Sequence, residues 1–168
     1  MDLQNGRIRI LLVDDEETIH RALDRTLRRE PYEILHAYDS AEAAAILERH
    51  PEIRAVVCDH YMPGLPGLDF LLHLRRKRPE LIAILLTAQA DLALVIAAIN
   101  EGNLHRFITK PWDADELRRS LRVLLGLEVV PADDLRRQVQ KEEDRIRRQL
   151  IPMQDADGAF LIGPPDKG

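Results

Sequence analysis

IRILLVDD, residues Ile8 to Asp15, is an apolar run that stops abruptly on two carboxylates. Its first six residues are too few for a stable helix, are rich in β-branched and leucine side chains, and show almost no polar alternation, so they read as a strand buried on both faces. Four more short runs follow: Glu33 to Ala37, Ala55 to Cys58, Leu81 to Leu86 and Arg106 to Thr109. Four of the five lack alternation. Strands of that kind occur in parallel sheets covered by helices on each side, which makes βα repetition the economical topology.

The intervening segments carry helical spacing. Ile19, Ala22, Leu23, Thr26 and Leu27 form one stripe, and that helix ends near Pro31. A second helix starts at Asp39 or Ser40, where Asp39 and Glu42 have the offset of a capping box, and stops before Pro51. A third spans about Gly67 to Arg76. The fourth, about Leu92 to Glu101, is apolar nearly all round and ends at Gly102; the fifth begins with a second capping box, Asp113 and Glu116, and carries Leu117, Leu121 and Leu124. The expected architecture is an α/β, doubly wound (βα)5 unit with a five-stranded parallel sheet.

This unit is expected to occupy residues 1–125. Residues 126–131 read as a linker, 132–151 as a highly charged signalling or dimerisation helix, and 152–168 as a flexible tail mixing Pro, Asp and Gly. Leu135, Val139, Glu142, Ile146 and Leu150 mark a heptad-like line, short and polar, that needs a partner surface.

A chain of 168 residues has length for one compact domain and an appendage. A net charge of -5 provides no general basic field for nucleic acid, so no direct DNA binding is expected. The single cysteine, Cys58, cannot form an intrachain disulfide and reads as a small buried hydrophobe, which fits a reducing, cytoplasmic setting. No signal-like start and no membrane-length apolar run is present. The six histidines show no ligand spacing; His20, His36, His50, His60, His73 and His105 read as surface or packing residues.

Asp14 and Asp15 follow the first strand, Asp59 the third, Thr87 the fourth and Lys110 the fifth. Open parallel sheets bind ligands outside the carboxyl ends of their strands, where strand order reverses. With the order 2-1-3-4-5 that point separates the first and third strands, so the three carboxylates would flank one crevice, with Thr87 and Lys110 at its side. Each close carboxylate pair costs up to ~4 kcal/mol at an effective dielectric near 20, which calls for a compensating cation. A hard ion with oxygen ligands, Mg2+ or Mn2+, meets that need, and Lys110 adds a second positive group. Asp59 is then left as a nucleophile toward phosphorus, with Thr87 and Lys110 holding phosphoryl oxygens. Taken singly, a DD pair ordinarily caps a helix, Asp59 marks a turn, and Pro63, Gly64, Pro66 and Gly67 mark a loop.

LLVDDE at Leu11 to Glu16, CDHYMPGLPGLDFL at Cys58 to Leu71, LLTA at Leu85 to Ala88 and FITKPW at Phe107 to Trp112 together resemble the receiver domains of bacterial two-component response regulators. The resemblance runs from about Arg7 to Leu125 and implies the flavodoxin-like fold. It further implies that Asp59 is the phosphoacceptor, that Asp15 ligates the metal directly and Asp14 largely through water, and that the Tyr61 backbone carbonyl completes the protein ligands. Thr87 and Lys110 would bind the phosphoryl group, Thr87 and Phe107 would form the switch, and the Lys110–Pro111 peptide would be cis.

A receiver takes its phosphoryl group from a histidine kinase or phosphotransfer protein and catalyses its own phosphorylation and dephosphorylation, rather than turning over a metabolite. Tyr61 and Gln89, each two positions beyond a site residue, are expected to border the hydrolytic water and tune its access. The output would pass to a partner protein or fused effector domain, or to a homodimer formed through the fourth helix, fifth strand and fifth helix or through the C-terminal helix. INEGNLHRFITKPWD also resembles receivers that precede cyclic-dinucleotide phosphodiesterase or transcription-activating ATPase modules. Two other readings are a phosphorylation-independent interaction module on the same fold and a haloacid-dehalogenase-like phosphatase. The latter needs Asp-x-Asp-x-Thr after the first strand, where this chain has Asp14-Asp15-Glu16-Glu17-Thr18, and a later acidic pair on a strand after the lysine, whereas Asp133 and Asp134 sit in a segment of helical pattern.

Overall fold

The computed structural model describes residues 6–88, 96, 98, 100, 104–129, 137 and 144. Within them the order is β1 (Ile8–Val13), α1 (Glu17–Leu27), β2 (Tyr32–Ala37), α2 (Ser40–Arg49), β3 (Ala55–Asp59), α3 (Gly67–Lys77), β4 (Ile82–Thr87), β5 (Arg106–Thr109) and α4 (Ala114–Leu124). Ile96, Ala98 and Asn100 are helical, within the segment expected to form the fourth helix; α4 is the expected fifth. Most of residues 132–151, all of 152–168, and Gln89 lie outside the described residues. The chain divides into two units, residues 1–128 and 129–168. In the second, Arg137 and Asp144 are helical.

The sheet is five-stranded and parallel, in the order β2-β1-β3-β4-β5. Interior strands β3 and β4 are buried throughout, whereas edge strand β2 is only partly covered at its four middle positions. Register then sorts side chains by face, because successive residues of a strand point opposite ways. Ile10 pairs with Ala55, Val57 with Ile84, and Leu86 with Ile108, so these side chains share one face. Leu23 and Leu27 of α1 and Leu117 and Leu121 of α4 pack against it in one core. A leucine or isoleucine moved from water into such a core contributes ~1.5–3 kcal/mol.

Hydrogen bonds tie the helices of each layer together. On the α1 and α4 side, Trp112 Nε1 donates to Thr26 Oγ1 (3.4 Å) and an Arg118 guanidinium nitrogen to the Thr26 carbonyl (3.2 Å). Between the ends of α3 and α2, Arg78 donates to the carbonyls of Pro51 (2.8 Å) and Ile53 (2.9 Å).

Both anticipated capping boxes form in part. The Asp39 carboxylate accepts from the Glu42 amide (2.7 Å), while the Glu42 carboxylate accepts from the amide of Tyr38, one residue before the cap. Asp113 accepts from the Glu116 amide (2.9 Å), and the Glu116 carboxylate lies 3.5 Å from Arg106. Two strands reach further than their apolar runs suggested. Asp59 is the last residue of β3, paired with Leu86, and Thr87 is the last of β4, paired with Thr109, because parallel pairing continues past the last aliphatic side chain.

Candidate functional site

Pleat and register account for the convergence at the carboxyl edge. Asp14 continues the phase of Ile10 and Leu12, Asp59 that of Ala55 and Val57, and Lys110 that of Ile108, so all three belong to the face that carries α1 and α4. One carboxylate oxygen from each of Asp14, Asp15 and Asp59 lies within 4.8 Å of the others. Lys110 Nζ stands 2.7 Å from Asp59 Oδ1 and 3.2 Å from Asp14 Oδ2. Asp14 and Asp59 are almost fully buried, at 1% and 5% exposure, while Asp15 is exposed.

The electrostatics are unbalanced. Burial pushes the Asp59 carboxyl above the ordinary carboxylate range; Lys110 pulls it back by hydrogen bond and charge, and Asp14 pushes the same way as burial. Burial disfavours the Lys110 ammonium, but the carboxylates of Asp59 and Asp14 outweigh that and hold its pKa above the usual lysine value. One ammonium among three carboxylates leaves a net negative pocket open to solvent on the Asp15 side. A divalent ion with oxygen ligands fits that donor set, and magnesium characteristically uses one or two carboxylates with water and phosphate oxygens.

Asp14 also has the bland role a DD pair suggests: its Oδ1 accepts the Glu16 amide at 2.8 Å, at the entry to α1, and Glu16 itself provides no side-chain cap. The same carboxylate therefore serves helix entry through one oxygen and Lys110 through the other. Thr87 is fully buried, and its hydroxyl donates to the carbonyl of Ala88 (3.0 Å). Phe107 is 6% exposed and pairs with Leu85, which places it on the face of Thr87 and opposite to that of Asp59. Tyr61 is 56% exposed, with its ring edge-on to His60 at 4.8 Å. The Lys110–Pro111 peptide is cis.

Cys58 is fully buried, and its thiol donates to the Asp59 carbonyl (3.2 Å). Burial, with Asp59 and Asp14 adding to it, keeps the thiol well above its usual pKa, so it is protonated and unreactive.

Sequence reasoning missed two features. In the sequence Gly67 reads as the start of the third helix and as a loop marker, with no packing role, yet a Cβ there would fall 1.8 Å from the Asp59 carbonyl oxygen. The histidines appeared scattered, yet His20 is 2% exposed and hydrogen-bonded both to the Asp14 carbonyl and to His36 (2.8 Å each). The spacing of sixteen residues between the two histidines has no local period, so nothing short of the fold could pair them.

Residues 10–122 match the family described as response regulator receiver domain. The hydrogenase transcriptional regulatory protein HoxA of Cupriavidus necator is 38% identical over 113 residues, covering 67% of this chain and 23% of that regulator. A second hydrogenase regulator, from Bradyrhizobium diazoefficiens, is 34% identical with 24% of its length covered, so the chain spans about a quarter of these relatives. The chemotaxis protein CheY1 of Helicobacter pylori is 32% identical over 122 residues, 71% of this chain and 98% of its own. Among solved structures, the signal receiver domain of an HD domain-containing protein from Pseudomonas fluorescens superposes with a TM-score of 0.67 at 35% identity, covering 75% of this chain and 92% of that one. No described helix is long and apolar enough to cross a membrane.

Proposed function

Because this chain belongs to the response regulator receiver domain family of two-component signalling, we propose that Asp59 accepts a phosphoryl group from a phosphohistidine of a sensor kinase or phosphotransfer protein. In that step a carboxylate oxygen of Asp59 forms the new P–O bond, the P–N bond of the donor breaks, and the imidazole leaves. Asp14, Asp15, Asp59 and the Tyr61 carbonyl would hold Mg2+, or Mn2+, which when bound supplies charge neutralisation on the transferring oxygens.

The chain's own groups do the rest. Lys110, already 2.7 Å from the acceptor carboxylate, passes to a phosphoryl oxygen once the acyl phosphate forms, and Asp14 keeps the ammonium in place. The Thr87 hydroxyl, now spent on the Ala88 carbonyl, turns to another phosphoryl oxygen. Phe107, on the same face of the neighbouring strand, repacks as Thr87 moves, and the surface around β5 and α4 changes with it. The new charge shifts an existing equilibrium only by the difference in its fit to the two states. Tyr61 and Gln89 would control water access to the acyl phosphate.

The observation that carries this reading is the shared ammonium: Lys110 within hydrogen-bond distance of both buried carboxylates, beside an exposed third. Incubation with acetyl phosphate and magnesium, followed by intact-mass measurement, should add one phosphoryl group to the wild type and none to Asp59→Asn. A wild type that stays unmodified would leave the phosphorylation-independent interaction module as the reading.

The output is a partner or a fused effector. The relatives that exceed this chain in length include transcriptional regulators, and a structural neighbour comes from an HD domain-containing protein, so a receiver feeding a further module is the favoured arrangement. In it, residues 126–131 act as a linker, 132–151 as a signalling or dimerisation helix and 152–168 as a tail. Homodimerisation would use the fourth-helix, β5 and α4 face or the C-terminal helix.

A further inference from the structure

At the backbone carbonyl of Asp14, two imidazoles meet head to head. His20 Nδ1 lies 2.8 Å from His36 Nδ1, with the rings near perpendicular at 74° and their centroids 4.8 Å apart. The remaining nitrogen of each ring is committed. His20 Nε2 lies 2.8 Å from the Asp14 carbonyl oxygen, which can only accept, so Nε2 carries the hydrogen. His36 Nε2 lies 3.3 Å from Asp24 Oδ1, a carboxylate oxygen that can only accept, so a hydrogen on that nitrogen is favoured. With both outer nitrogens donating, the two Nδ1 atoms face one another with no hydrogen of their own, so the 2.8 Å contact calls for a shared cation, a proton or a metal ion.

We propose that this pair is a second metal site, for a late first-row divalent ion such as Cu2+, Ni2+ or Zn2+, distinct from the hard-ion pocket of carboxylates. Neutral imidazole nitrogens suit these ions and not magnesium. The outer contacts are those metal-binding histidines require: the distal N–H of one ring on a carboxylate and that of the other on a backbone carbonyl, fixing tautomer and orientation. His20 comes from α1 and His36 from β2, so the ligands stand on rigid elements.

The two rings differ in their access to solvent. His20 is buried, whereas the His36 side chain is 29% exposed, leaving room for water to complete the coordination. Tyr38 packs its ring against His20 at 4.6 Å and donates its hydroxyl to Glu17 (2.6 Å), so it walls the site without ligating. A modest opening of the two rings admits the ion, and the Asp14 carbonyl ties its occupancy to the strand end that bears the acidic pocket. The site does not depend on phosphotransfer.

The test uses the untagged chain, with magnesium in excess to fill the carboxylate pocket, titrated with Cu2+ and read by electron paramagnetic resonance. The wild type should bind one equivalent with hyperfine structure from two imidazole nitrogens. His36→Gln should lose that signal, Asp24→Ala should weaken binding about tenfold, and Asp59→Asn should leave it unchanged. An unchanged spectrum in His36→Gln, a loss in Asp59→Asn, or no copper bound to a folded wild type would each overturn the proposal; in the last case a shared proton is what the pair holds. Circular dichroism of each variant confirms that the fold is retained.

Discussion

Gly67 and Asp59 touch through their backbones: a Cβ built on Gly67 would stand 1.8 Å from the Asp59 carbonyl oxygen and 2.8 Å from its carbonyl carbon. The Gly67 amide also donates to the His60 carbonyl at 2.9 Å, closing the loop that carries residues 60–66 over the end of β3. The residue that opens α3 therefore packs directly on the backbone of Asp59. The atom in the way is backbone, which cannot swing aside as a side chain would.

Gly67→Ala should accordingly cost about 1–3 kcal/mol of stability, the usual price of overpacking, and slow phosphorylation of Asp59 as well. Urea unfolding and the acetyl phosphate reaction would show both losses together. Wild-type stability with wild-type modification would mean that the loop shifts freely.

Lys110→Ala leaves Asp14 and Asp59, at 1% and 5% exposure, facing one another without a cation. Breaking a buried pair costs about 3–5 kcal/mol, and the partial exposure of Lys110 places this case at the lower end. Magnesium should recover part of the loss, so the stabilisation it confers in urea titrations should be larger for the variant than for the wild type. A smaller magnesium effect in the variant would count against an ion among the three aspartates.

His105 links stability to pH. Its Nδ1 accepts the Ala83 amide at 3.0 Å, and burial, helped by the Arg75 charge, holds its pKa below the ordinary imidazole value. The unfolded chain then binds the proton more readily than the folded one, so this contribution is complete above roughly pH 6.5 and is lost as pH falls toward the depressed value. Urea midpoints of the wild type should drop between about pH 7.5 and about pH 5.5 by more than those of His105→Asn, whose amide oxygen can still accept. Equal drops would place the pH dependence elsewhere.

Tyr61 stands half exposed two residues beyond Asp59, its ring edge-on to His60. On the proposed chemistry it shields the acyl phosphate, and Tyr61→Ala should release phosphate severalfold faster while accepting it normally. Release at the wild-type rate would assign Tyr61 to partner contact alone.

The strand runs and capping pairs were legible in the sequence because they are local. Ile8–Val13 needs no other part of the chain to declare itself unsuited to water on either face, and Asp39 and Asp113 accept amides only three residues away. The order of residue types at the strand ends was legible for the same reason, and it anticipated which groups would share an edge. Contacts between distant backbone atoms and side chains were not.

That Gly67 must lack a side chain, that Lys110 divides its ammonium between Asp14 and Asp59, and that His20 finds His36 were all decided by strand pairing and helix packing. Hydrophobic periodicity specifies which face of an element is buried. The distance between two polar groups on different elements is instead set by how those faces close together, a sum over the whole core that no stretch of sequence holds.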